Sequence, residues 1–81
     1  MADKVHYEYE DGTKVPNHIE FRGYDYTIHS IHRDPLVAGG WLAYSDCPED
    51  NARIEAICIR RAGGRACVKR INETTWAVYW R

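Results

Sequence analysis

The sequence predicts a small α+β domain in which one α-helix packs against one antiparallel β-sheet. Three observations carry this. Apolar and polar residues alternate in short runs near both ends of the chain, the period of strands. One stretch past the middle has helix-start chemistry at its head and helix-stop chemistry at its tail. Finally, 81 residues support only one core, so strands and helix share a single compact domain over residues 1–81. With 44% hydrophobic and 28% charged residues, the composition is that of a globular chain. Three Trp, six Tyr and one Phe give it the aromatic content that disordered chains lack.

The first strand is read from Val5, Tyr7 and Tyr9, which alternate with His6, Glu8 and Glu10. Asp11-Gly12-Thr13 supplies a turn, and Pro16 confines the next segment to a sheet edge or loop. Ile19 and Phe21 sit at odd positions, whereas Tyr24, Tyr26 and Ile28 sit at even ones, so the apolar parity switches across Gly23. A bulge or a tight turn at that glycine accounts for the switch, and residues 18–32 are either one bulged strand or a hairpin. Arg33-Asp34-Pro35 and Gly39-Gly40 bracket a loop, and Trp41 to Tyr44 reads as a short strand.

Asp46-Cys47-Pro48-Glu49 places an N-cap three residues before Glu, with Pro in the first turn. Acids at Glu49 and Asp50, bases at Arg60 and Arg61, and Gly63 beyond them suit the helix dipole and a glycine C-cap. These signals predict a helix over 47–62, with Ile54, Ile57 and Cys58 as its apolar stripe, widened by Ala52, Ala56 and Ile59. The rival is a strand through Ile54–Ile59 turning at Gly63-Gly64, favoured by β-branched residues. Residues 52–62 are where the two differ, and four capping signals against one turn signal favour the helix. Ala66–Ile71 and Trp76–Arg81 then form a hairpin across Asn72–Thr75. In its second strand Trp76, Val78 and Trp80 share one face and Ala77, Tyr79 and Arg81 the other.

Cys47, Cys58 and Cys67 are odd in number and lack CxxC spacing, unlike a secreted disulfide scaffold. The amino terminus has no signal-type apolar region, and Leu36–Tyr44 is too short to span a bilayer. These features predict a cytoplasmic protein with reduced thiols. His29 and His32, three apart on a strand, are expected on opposite faces, so no metal and no cofactor site is expected. Cys47 at a helix start has dipole support for a thiolate but no signature of a catalytic cysteine around it. The glycine pairs fit no phosphate-binding motif, and Ser30 and Ser45 fit no nucleophile elbow. No catalytic residue is expected, and the chain reads as non-enzymatic.

Charge is the strongest functional signal. The net charge is -1, yet residues 1–50 carry about -6 and residues 51–81 about +5. Arg60, Arg61, Arg65, Lys69 and Arg70 cluster ahead of Trp76, Tyr79 and Trp80, and they form the candidate partner-binding patch. Arginine beside aromatic residues suits protein hot spots and nucleic-acid contacts alike. Glu8, Glu10 and Asp11 form a secondary acidic face. The expected function is therefore docking on a protein or nucleoprotein complex through charge-complementary faces, as a monomer or homodimer. The alternative is a small nucleic-acid-binding domain using the basic half. In size and style the chain resembles the small inhibitors that bacteriophages encode against host defence complexes, the anti-CRISPR kind. That resemblance rests on no motif and implies no site residues. Trp41-Leu42-Ala43-Tyr44 leading into the helix is similar to integrase-type DNA-binding domains, whose sheet reads DNA. Here that sheet would carry Glu8, Glu10, Glu20 and Asp25, the wrong charge for a polyanion.

Overall fold

The computed structural model describes residues 4–34 and 47–81. In chain order they form β1 (Val5–Glu8), β2 (Lys14–Pro16), β3 (His18–Phe21), β4 (Tyr24–Arg33), α1 (Pro48–Arg61), β5 (Ala66–Asn72) and β6 (Thr75–Trp80). The predicted α+β architecture is present, with α1 packed on a four-stranded antiparallel sheet of order β3-β4-β6-β5. β1 and β2 form a separate two-stranded ribbon. The expected strand at Trp41–Tyr44, the glycines Gly39 and Gly40 and the cap residue Asp46 lie outside the described residues.

Alternation along β6 assigns the two faces of the sheet. Ala77 and Tyr79 are fully buried in a cluster with Val15 of the ribbon, Tyr26 and Cys67. Val78 is fully buried on the other side, against Ala52, Ala56, Ile59 and Ala66, with Trp76 and Val68 alongside. A central strand with both faces covered thus puts every residue from Trp76 to Tyr79 to use. The Tyr79 hydroxyl donates to the Pro16 carbonyl at 2.6 Å, and Asn72 Nδ2 donates to Thr13 Oγ1 at 2.8 Å. These bonds fasten the ribbon to the sheet.

At the Gly23 parity switch the chain makes a hairpin rather than one continuous strand. Arg22 and Gly23 have φ of 53° and 84°, and Phe21 pairs with Tyr24. Two successive left-handed residues make the turn whose twist matches antiparallel strands. A bulge does occur, but further on, between Ile28 and Ser30.

α1 forms where expected, and the rival strand through Ile54–Ile59 does not. Its N-cap is Cys47, with no side-chain capping bond, and Pro48 occupies the helix start. At the other end Gly63 N–H donates to Arg60 O and Gly64 N–H to Ile59 O, with Gly63 at φ 97°. That pair of bonds closes the helix in a Schellman motif. A side chain at Gly64 would force Ile59 to shift, because a Cβ there would lie 2.9 Å from Ile59 Cγ2.

The buried stripe of α1 differs from the expected one. Ala52, Ala56 and Ile59 face the sheet, while Ile54 and Ile57 are 57% and 43% exposed and Cys58 is exposed. Trp76, Val68 and Val78 already fill the helix-facing side of the sheet, so the helix approaches on its small residues. The expected half-burial of β1 also fails, since all four of its residues are exposed.

Candidate functional site

Among the described residues β5 lies at one edge of the sheet, paired only with β6. Arg65 and Arg81 exchange both backbone hydrogen bonds. In an antiparallel ladder such pairs recur at every second residue. Cys67 and Lys69 therefore turn their backbone groups toward β6, and Ala66, Val68 and Arg70 turn theirs outward.

Of the predicted basic residues, Arg60, Arg65, Lys69 and Arg70 lie at or beside this edge, whereas Arg61 stands on the side of α1 opposite the buried Ala52, Ala56 and Ile59. Alternation sends Arg65 and Lys69 to the ribbon side, with Cys67, and Arg70 to the helix side, with Val68. Between α1 and β5 runs a groove of about 350 Å³ lined by Arg53, Ala56, Ile57, Arg60 and Val68. The patch is thus a rim around a strand edge, with cations above and below it, rather than one flat face. Its members are unequal. Arg60 donates from Nε and Nη2 to Ala66 O at 3.2 and 2.8 Å, which caps one edge carbonyl. Arg70 donates to Asn72 O at 3.1 Å and stacks over Trp76. Arg61, Arg65 and Lys69 are exposed and have no acidic partner among the described residues. The ion pairs there are Arg53–Glu49, Arg33–Asp11 and three involving histidine. Among the described residues, therefore, few ion pairs join the two oppositely charged halves.

The acidic face is smaller than predicted. Glu8 and Glu10 are exposed, but Asp11 is a structural residue. Its Oδ2 accepts from Arg33 Nη2 at 2.6 Å and its Oδ1 from Thr13 N–H at 3.0 Å. The Arg33 hydrogen bond, helped by Thr13, pulls its pKa down to about 2. Arg33, expected only to bracket a loop, ends β4 with a side chain that is 8% exposed, bonded to Thr75 Oγ1 and stacked over Tyr9. The pair pins the ribbon turn to the sheet.

A second cluster has no counterpart in the predicted patch. The bulge at 28–30 inserts one residue and brings His29, Ser30 and His32 together on the helix side, against the expectation of opposite faces for the two histidines. All three reach Glu55 of α1. Its Oε2 accepts from Ser30 Oγ and from His29 Nδ1, the latter at 2.8 Å, and its Oε1 lies 3.6 Å from His32 Nε2. Partial burial raises the Glu55 pKa, but the Ser30 and His29 hydrogen bonds and the adjacent imidazoles outweigh this and hold it below the ordinary value. A carboxylate so stabilised is a weak general base at neutral pH, and the arrangement fastens α1 to β4. Beside it a cleft of about 560 Å³ is lined by His29, Glu55, Cys58, Ile59, Ala62, Gly63, Gly64 and Trp80.

Of the cysteines, Cys47 and Cys58 are exposed and Cys67 is buried. Burial pushes the Cys67 thiol up, against the lowering influence of Arg60 and Lys69. Among the described residues no group of three His, Cys, Asp or Glu is placed to hold a metal ion, and no helix is long and apolar enough to cross a membrane. Comparison with protein-family models, curated proteins and solved structures found no match.

Proposed function

We propose that this chain is a non-enzymatic interaction protein that docks an extended, acidic segment of a partner protein along the edge of β5 that no described strand pairs. The observation that carries the reading is the juxtaposition at that edge. Outward backbone groups of Val68 and Arg70 are flanked on both sides by cations, of which the exposed Arg65 and Lys69 have no acidic partner among the described residues. An added strand gains affinity from main-chain hydrogen bonds and selectivity from the side chains beside it. Arginine and lysine on both flanks favour acidic residues on either side of such a strand and speed encounter.

Charged residues on an edge also keep sheets from aggregating. One or two suffice for that, whereas here Arg53 and Arg60 line the groove beside the edge and Arg65, Lys69 and Arg70 lie in or next to β5 itself. Occluding an acidic segment of a larger assembly is also how a small inhibitor of the phage-encoded kind would use such an edge.

The test is an amide chemical-shift titration with an acetylated peptide of alternating Glu and Val. Saturable shifts centred on Val68 and Arg70, weakening with salt, are expected, with none from the Lys-Val counterpart. Shifts that bypass β5 would overturn the reading. So would nanomolar binding of a DNA duplex with a log–log salt slope near -0.9 per phosphate contacted, which would assign the rim to nucleic acid.

A further inference from the structure

We propose that the cleft between the end of α1 and β6 binds a small organic ammonium ion, its charge on Glu55 and its apolar stem against Trp80 and Ile59. The cleft lies on the β4 side of α1, across the helix from the β5 groove, and does not rest on the docking proposal.

Three features of the cleft select the same chemistry. The first is the carboxylate. Oε2 of Glu55 takes the bonds from Ser30 and His29, whereas Oε1 meets only His32 Nε2 at 3.6 Å among the described residues, beyond hydrogen-bond reach. The Glu55 carboxylate lines a largely apolar cleft, where it can accept from an ammonium N–H.

The second feature is the indole. Trp80 is 44% exposed, and the His29 ring makes a T-shaped contact with it, centroids 4.6 Å apart. His29 thus touches both the carboxylate and the indole and fixes one relative to the other. An aromatic face held near a carboxylate attracts a cation through its quadrupole and buries the attached carbons.

The third is the end of α1. Ala62, Gly63 and Gly64 line the cleft, so it opens on the negative end of the helix dipole. Arg60, which would oppose a cation there, is turned to the β5 side and bonded to Ala66 O. An anion meets Glu55 and the helix carbonyl end. A neutral ligand brings no counter-charge to the Glu55 carboxylate. Only a cation with an apolar stem satisfies carboxylate, indole and helix end together.

The test is a titration of the full chain at pH 8, read at the Trp80 indole N–H resonance, with n-butylammonium, 1-butanol and butyrate. The three share a stem and differ in charge. Saturable binding of butylammonium in the millimolar range is expected, with butanol at least ~10-fold weaker and butyrate inert. Glu55→Gln, which keeps an acceptor for Ser30 and His29, should weaken butylammonium about 10-fold and leave butanol unchanged. Trp80→Leu should weaken it about 5-fold, read by protection of Cys58 from alkylation. If either variant loses its folded spectrum, the three-ligand series on the unaltered chain decides alone. Tighter binding of Nα-acetyl-lysine methylamide than of butylammonium assigns the ammonium to a lysine side chain, and the reverse order to a free amine. Equal affinity for butylammonium and butanol, or no movement of the Trp80 resonance by any ligand, overturns the proposal.

Discussion

Tyr79→Phe tests one of the bonds that fasten the ribbon to the sheet. Tyr79 is fully buried, and its hydroxyl donates to the Pro16 carbonyl at 2.6 Å. The substitution keeps the ring and removes only that donor. A typical hydrogen bond contributes a net ~0.5–1.5 kcal/mol, and leaving a buried acceptor unpaired costs ~1–3 kcal/mol. Pro16 is half-buried, so water reaches its carbonyl in part, and the expected loss is about 1–2 kcal/mol. A chain of 81 residues has a total stability of roughly 4–12 kcal/mol, so this fraction is measurable. With a urea m-value near ~1 kcal/mol/M, the midpoint should fall by about 1–2 M without a change in slope. Tryptophan fluorescence tracks the transition. Because the loss belongs to the ribbon, amide exchange should accelerate first at Lys14 and Val15 and only later in β5 and β6. An unchanged midpoint, or uniform acceleration across the whole sheet, would refute the assignment of Tyr79 as the ribbon's anchor.

The Asp11 pKa is lowered to about 2 from an ordinary 3.8, so its contribution to stability is complete above the unfolded value and is lost as pH falls toward 2. Asp11→Asn should therefore flatten the stability–pH curve between about pH 4 and 2, as read by thermal melts. Arg22 adopts φ 53° without being glycine, and Arg22→Asn should stabilise the β3–β4 turn by about 0.5–1 kcal/mol, seen as a raised Tm. In the folded protein iodoacetamide should modify Cys47 and Cys58 quickly and Cys67 only on unfolding, because Cys67 alone is buried and its thiol is pushed up. Mass spectrometry of a time course distinguishes two fast sites from three.

Much of the fold was legible because local chemistry and tertiary packing agree. Glu49, Asp50, Arg60, Arg61 and Gly63 mark α1 at both ends, and the alternation of Trp76–Arg81 assigns both faces of β6 correctly. Where local pattern misled, packing had settled the matter elsewhere. Ile54 and Ile57 read as the helix core, but Trp76 and Val68 already supply the bulk between helix and sheet, leaving room for Ala52 and Ala56. The charged rim was legible as a cluster, whereas its wrapping around an edge was not, because edge position depends on strand order. The Glu55 cluster was the least visible. Its one sequence signal is the second parity change, from Ile28 to Ile31, which marks the bulge that turns His29 and His32 to the same side. Asp11 and Arg33, 22 residues apart, became partners only through the docking of the ribbon.

The central claim is that cations on both flanks of β5 hold an acidic strand there. Its most direct test is the affinity of the Glu-Val peptide for Arg65→Glu with Lys69→Glu, measured by calorimetry beside a thermal melt. Both side chains are exposed and without an acidic partner among the described residues. Stability should therefore stay within ~0.5 kcal/mol of the unaltered chain, while binding should weaken at least ~10-fold. Unchanged affinity in that variant would contradict the account. So would the mirror pattern, in which the Lys-Val peptide binds and Glu8→Lys with Glu10→Lys abolishes it, placing the functional face on β1.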